Sequence, residues 1–260
     1  MNLSAATIVL RPRKTSEVMD LTFRVAFSIA LGPYVRIALA TLLPAYVALL
    51  ALKYLLAIPW PMLWLIAIPL STWLEGPFTV SASRLVFGER LTVRQTLATF
   101  GKRIPSYTGA LLLRVLLVAL GLMVCVGVFF ILPAALLMGE ISLLENAAPL
   151  DAFKRSRVLA SQRASNASLA GMAMSIAKLG FVFGLEALGH GIVRDVLQLG
   201  EPFGSLISDY GSPYALLGLL LSGPFMATGR FLHYIDARTR ADGWDIQVRY
   251  MALLAEDAKP

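Results

Sequence analysis

Four charged residues stand inside apolar stretches of this 260-residue chain: Glu75, Arg114, Glu140 and Lys178. A charge in hydrocarbon is costly unless paired or hydrated, so such residues mark ion pathways, substrate contacts or partner sites. Glu75 precedes Gly76-Pro77, a pair that breaks or kinks a helix and frees backbone carbonyls there. Transporters place substrate and ion sites at breaks of this kind. Structural kinks are the competing reading, and Pro44, Pro69, Pro133 and Pro224 offer several more. At ~1.5 Å per helical residue, Glu75 and Arg114 lie roughly 13–14 Å from the same surface, which predicts that they pair or reach one polar cavity. Glu140, nearer that surface, is a candidate third member. Lys178 has no evident partner in the sequence and is expected to snorkel or to pack against the bundle.

Other chemistry is poorly represented. The two histidines, His190 and His233, fall near opposite surfaces and are not expected to share a site. No phosphate-binding glycine loop, zinc-ligand spacing or GxSxG elbow is present. The expectation is a non-catalytic protein with no cofactor and no metal. The single cysteine, Cys125, excludes an intrachain disulfide and reads as a small buried hydrophobe.

The elements that must position these residues follow from composition. The chain is 57% hydrophobic and 15% charged, against about 45–50% and about 25% for soluble domains. Apolar runs of crossing length cover Pro33–Ala57, Pro59–Phe87, Ala164–Ala187 and Ser212–Tyr234, with Ile58-Pro59-Trp60-Pro61 as a tight turn between the first two. The run 105–146 has no clear polar divider, only Gly121 and Gly127 as weak breakers, yet both of its flanks are basic. It is therefore expected to leave and return to one side, as two spans or as a re-entrant hairpin.

Basic residues concentrate in segments 1–32, 84–103, 147–163 and 230–260, whereas 188–211 carries only Arg194. By the bias of Lys and Arg toward the cytoplasm, the expected fold is an all-α polytopic membrane protein. It has six transmembrane helices, short amphipathic interfacial helices and both termini inside, in a bacterial cytoplasmic membrane. One integral membrane domain, 1–260, comprises an N-terminal helix (1–32), a six-span bundle (33–234) and a cytoplasmic tail (235–260). The start of the chain has no apolar core suited to a cleaved signal, so the first span is expected to direct insertion. The net charge of +7 lies beside apolar spans. That favours anionic lipid of the inner leaflet, at roughly 1 kcal/mol per nearby cation, over nucleic acid.

A short amphipathic helix is expected before spans one, three and five, making helix, span and returning span a unit used three times. In the first, Glu17, Asp20, Arg24 and Ser28 share a polar stripe. In the second, Val93, Leu97, Phe100 and Ile104 form the apolar stripe while Arg94, Lys102 and Arg103 face away. In the third, Pro149 opens the helix, Leu150 and Phe153 face the membrane, and Asp151 can pair with Lys154 or Arg155. With Arg157, these cations make a basic collar for anionic lipid or a protein partner; the plainer reading is that the helices only orient the spans. Ile192 to Gln198 reads as a short helix resting on the outer surface. Asp242-Gly243 predicts a turn. Asp236, Arg238 and Trp244 are expected to pack beneath the bundle near Glu17, Asp20 and Arg24.

Three motifs carry a family resemblance. They are Leu10-Arg11-Pro12-Arg13 with Ser16 to Arg24, then Ala148-Pro149-Leu150-Asp151-Ala152-Phe153-Lys154-Arg155-Ser156, and finally Tyr234 to Arg240 with Asp242-Gly243-Trp244-Asp245. Their order and spacing resemble a family of bacterial membrane proteins related to the membrane domain attached to some glycerophosphoryl diester phosphodiesterases. Where that family carries further basic residues after the first helix, this chain has Val25-Ala26-Phe27-Ser28. The resemblance implies a non-catalytic helical membrane module that acts as an accessory or scaffold. The alternative is a small transporter or permease component built around Glu75 and Arg114.

Overall fold

The computed structural model describes residues 11–89, 91–123, 127–161 and 164–243, and every regular element among them is helical. First come α1 (Thr15–Arg24), a π-helical stretch (Val25–Ile29), α2 (Leu31–Tyr54), α3 (Trp60–Trp73) and α4 (Glu75–Leu85). Next are α5 (Val93–Gly101), α6 (Ile104–Met123), α7 (Gly127–Ala135), α8 (Met138–Glu145) and α9 (Pro149–Ser161). The chain then forms α10 (Ala164–His190), a π-helical extension (Gly191–Val196), α11 (Pro213–Leu221) and α12 (Gly223–Asp242). Five stretches are long and apolar enough to cross a membrane: Leu31–Tyr54, Trp60–Leu85, Ile104–Met123, Ser165–Val196 and Pro213–Asp242.

The segment 105–146 does double back. Ser106 hydrogen bonds with Ser142 at 2.7 Å and donates to the Ala147 carbonyl at 2.6 Å, which joins the start of α6 to the end of α8. The returning half is two short helices rather than one long one. Cys125 lies outside the described residues.

The unit used three times is visible: a short helix (α1, α5, α9), an outgoing helix (α2, α6, α10) and a return in two halves (α3–α4, α7–α8, α11–α12). The breaks fall at Leu74, at Leu136–Leu137 and at Ser222. Pro77 and Pro224 lack the N–H that would donate four residues back, to Trp73 and Leu220, and this interrupts the ladder at two of the three breaks. Side chains from other helices serve backbone groups at the breaks. The Tyr107 hydroxyl donates to the Thr72 carbonyl at 3.0 Å, and the Leu137 N–H donates to Ser156 Oγ at 3.3 Å.

The units interlock in a ring. Each short helix packs against the inner half of the preceding return, α5 on α4, α9 on α8, and α1 on α12. Each also buries one hydroxyl: Thr22, Thr96 and Ser156 are all 0% exposed. Phe100 packs so closely on Gly76 that no Cβ fits there. The halves α4, α8 and α12 touch one another and form the centre. In the apolar window of Pro213–Asp242, 83% of residues are buried, against 17% for Leu31–Tyr54 and 11% for Ser165–Val196. Large apolar side chains such as Leu39, Leu65, Leu112, Phe130 and Ile176 are exposed, while charges sit inside. This inverts the soluble pattern and suits a hydrocarbon solvent.

Two expectations are corrected. The separate helix over 192–198 is instead a continuation of α10 in wide turns, ended where Gln198 takes a positive φ of 54°. The segment after Tyr234 is not a separate tail at first, because α12 runs on to Asp242. The expected turn follows there, with Gly243 at φ 59°.

Candidate functional site

The three breaks bring charged side chains together. Glu75 is the first residue of α4 and Glu140 the third of α8, so each carboxylate sits at the positive end of a half-helix. Arg230, on the third turn of α12, comes between them. Its Nη2 contacts Glu75 Oε2, and its Nε donates to Glu140 Oε1 at 2.7 Å. From α10, Lys178 Nζ stands 3.4 Å from Glu75 Oε1 and 3.3 Å from Ser71 Oγ. The side chains of Glu75, Glu140 and Arg230 are 0%, 2% and 6% exposed.

Two carboxylates and two cations therefore balance within a sealed core. The charge balance matters because each isolated ion taken from water to a medium of low dielectric loses on the order of 20 kcal/mol of solvation in the idealised limit. Glu140 Oε2 accepts no hydrogen bond among the described residues.

Sequence reasoning singled out three members of this cluster and missed Arg230, which falls where basic residues thicken toward the cytoplasmic end. The expected pair is corrected: Glu75 is held by Arg230 and Lys178, and Arg114 makes no ion pair with it. Arg114 lies within electrostatic reach of Arg230, Glu140 and Glu75, half-buried on α6. Of the two readings of Lys178, packing against the bundle holds and snorkelling does not, since its amine turns inward to Glu75.

The collar divides into two groups. Arg94, Lys102, Lys154 and Arg157 are exposed on or beside α5 and α9. Arg103 and Arg155 are half-buried and bonded within the protein, so they are corrected as lipid-facing residues. Arg103 donates to the Leu143 carbonyl, while Arg155 pairs with Asp242 and, at 3.8 Å, with Glu145. Arg238 joins the same group, reaching Asp242 at 3.4 Å. Asp151 pairs with Lys154 at 3.8 Å.

The expected contact between the two chain ends is present and uses the expected Asp236, but its partner is Arg13 rather than Glu17, Asp20 or Arg24. Asp236 accepts the Arg13 N–H at 2.7 Å and Arg240 Nε at 2.9 Å. Glu17 pairs instead with Arg11, while Asp20 and Arg24 are exposed. Trp244 lies outside the described residues.

At the opposite end Glu186, which sequence reasoning did not single out, anchors the loop that follows α10. Its carboxylate accepts the Leu206 N–H at 2.7 Å and the Ser212 hydroxyl, and lies 3.1 Å from His190 Nε2. Nearby, the Ser205 N–H and the Ser208 hydroxyl hold the Asp209 carboxyl below the usual carboxylate range. Among the described residues no group of His, Cys, Asp and Glu is arranged to hold a metal. The chain matches no protein-family model, no curated protein and no solved structure.

Proposed function

We propose that this chain is a non-catalytic integral membrane protein of the bacterial inner membrane, acting as a scaffold that gathers anionic lipid through its basic collar. In this reading the bilayer is crossed six times, α7 and α8 together forming the fourth crossing, and both termini are cytoplasmic. Membership in the membrane family resembled by its three motifs is part of the same proposal.

The observation that carries it is the division of charge. Lys178 and Arg230 in the core are tied to carboxylates, whereas Arg94, Lys102, Lys154 and Arg157 remain exposed at the end of the bundle where α1, α5 and α9 gather. Leu150 and Val158 are exposed on the same α9 that carries Lys154 and Arg157, as a helix lying in a lipid interface requires.

The test is to purify the protein in its native lipids and count retained phosphatidylglycerol and cardiolipin. Replacing the four exposed cations with glutamine is expected to lower anionic lipid retained per chain by about half or more, since each is worth roughly 1 kcal/mol at a charged surface. Unchanged retention in a folded variant overturns the collar.

A transport reading has one observation in its favour. Both carboxylates sit at breaks in membrane-length helices, as ion sites in transporters do. Against it stands the burial of the cluster.

A further inference from the structure

Among the described residues, one joint of the ring stands more open than the others. Outgoing helices pack on the outer half of the preceding return, α2 on α11 and α10 on α7. Between α6 and α3, the third such joint, a crevice of about 690 Å³ opens instead. Its walls are apolar (Ile68, Trp73, Leu111, Val115, Val118 and Leu132 among them), and Arg114 is the one charged residue among the described residues that line it. A volume of this size falls in the roughly 300–1,000 Å³ range of small-molecule sites.

Arg114 is also the surplus charge of the interior. Glu75 and Glu140 are balanced by Arg230 and Lys178, so Arg114 leaves the region one positive charge in excess. It stands ten residues into α6, about 15 Å from that helix's start at ~1.5 Å per residue. A guanidinium at that depth calls for an anion. On the same wall, six residues nearer the start of α6, the Thr108 hydroxyl accepts Trp73 Nε1 at 3.0 Å and keeps its own proton free to donate.

We propose that this crevice binds one long-chain fatty acid, the carboxylate on Arg114 and the acyl chain along the α3–α6 wall. The inference rests on reading α6 as a membrane span. Depth and size select this occupant. A phospholipid phosphate would have to be drawn about 15 Å below the headgroup layer, with two chains to place. A partner helix about 10–12 Å across does not fit within about 690 Å³. A fatty acid enters hydrocarbon as the neutral acid, then releases its proton to water as its carboxylate meets the guanidinium in a bidentate contact.

The experiment is binding of radiolabelled oleate to the full-length protein in phosphatidylcholine nanodiscs. One saturable site per chain is expected. Arg114→Gln should weaken it by about tenfold or more, the scale of one charge-assisted contact, and Arg114→Lys should recover part of the loss. Methyl oleate, which has the chain without the charge, should not compete. Because Arg114→Gln can also perturb the charge cluster, Val115→Trp supplies a second test: it fills the exposed crevice wall, leaves Arg114 in place and should abolish binding.

Equal binding by Arg114→Gln and wild type, competition by the methyl ester, or no saturable binding to wild type overturns the proposal. Displacement of oleate by dioleoyl phosphatidylglycerol in the disc assigns the crevice to phospholipid and overturns it as well. The glutamine collar variant keeps oleate binding, so failure of the collar and failure of the crevice give different results.

Discussion

Lys178 on α10 and Glu75 on α4 stand 3.4 Å apart, joining a peripheral helix to the charged centre of the bundle. The Lys178 side chain is 20% exposed and that of Glu75 fully buried, so the two partners do not carry equal weight. Glu75→Gln removes the carboxylate shared by Lys178 and Arg230. Leaving a buried charge uncompensated costs about 3–5 kcal/mol, and most of the detergent-solubilised stability should go. Lys178→Gln leaves Glu75 paired with Arg230 and should cost less, about 1–2 kcal/mol, the usual scale for a lost hydrogen-bonding partner. Thermal unfolding of both variants checks the order, and an equal loss in the two would refute the shared-carboxylate geometry.

Arg230 and Glu140 allow a sharper test, because removing both leaves the remaining charges balanced. Each single change, Arg230→Met or Glu140→Leu, strands an ion in the core. The double variant retains Glu75 with Lys178 and is expected to be more stable than either single one, with a coupling energy of about 1–3 kcal/mol by double-mutant cycle. Additive losses would mean that the two side chains act independently.

How far this centre can be read from the sequence depends on the residue. Glu75, Glu140 and Lys178 announce themselves because a charge within an apolar run is conspicuous. Arg230 does not, because it sits only eight residues before Arg238 and shares the basic character of the chain's end. The wrong partner for Glu75 has a different origin. Depth along a span can be counted at ~1.5 Å per residue, but which spans are neighbours depends on how the units interlock. That interlocking brings α12, not α6, against α4. The breaks show the same contrast. Gly76-Pro77 and Gly223-Pro224 carry a signature, whereas Leu136–Leu137 has only Pro133 upstream, and the hydroxyl that serves it, Ser156, comes from another unit.

Ser156 supplies the next prediction. Ser156→Ala removes the acceptor for the Leu137 N–H at a buried break and should cost about 1–2 kcal/mol. Ser161→Ala, on the exposed end of the same helix, should stay within about 0.5 kcal/mol of wild type. Chemical unfolding of the pair in one detergent separates the two, and similar losses would show that the break does not depend on this hydroxyl.

At the other end of the molecule, the Asp209 carboxyl is the group whose ionisation can be followed outside the spans. The Ser205 N–H donates to it at 2.8 Å and the Ser208 hydroxyl at 2.8 Å, contacts that favour the charged form. Its affinity for a proton is therefore lower folded than unfolded, so its contribution is fully present above about pH 3.9, the ordinary aspartate value. That contribution is lost as the pH falls through the lower, folded value. The Ser205 amide should stay protected from hydrogen exchange at pH 5 and lose protection only in stronger acid. Asp209→Asn should lower that protection wherever the wild-type carboxylate is charged, while leaving Glu186, which holds Leu206 and Ser212 independently, to keep the loop closed. Protection of Ser205 that fades between pH 6 and 5 would place control of the turn elsewhere.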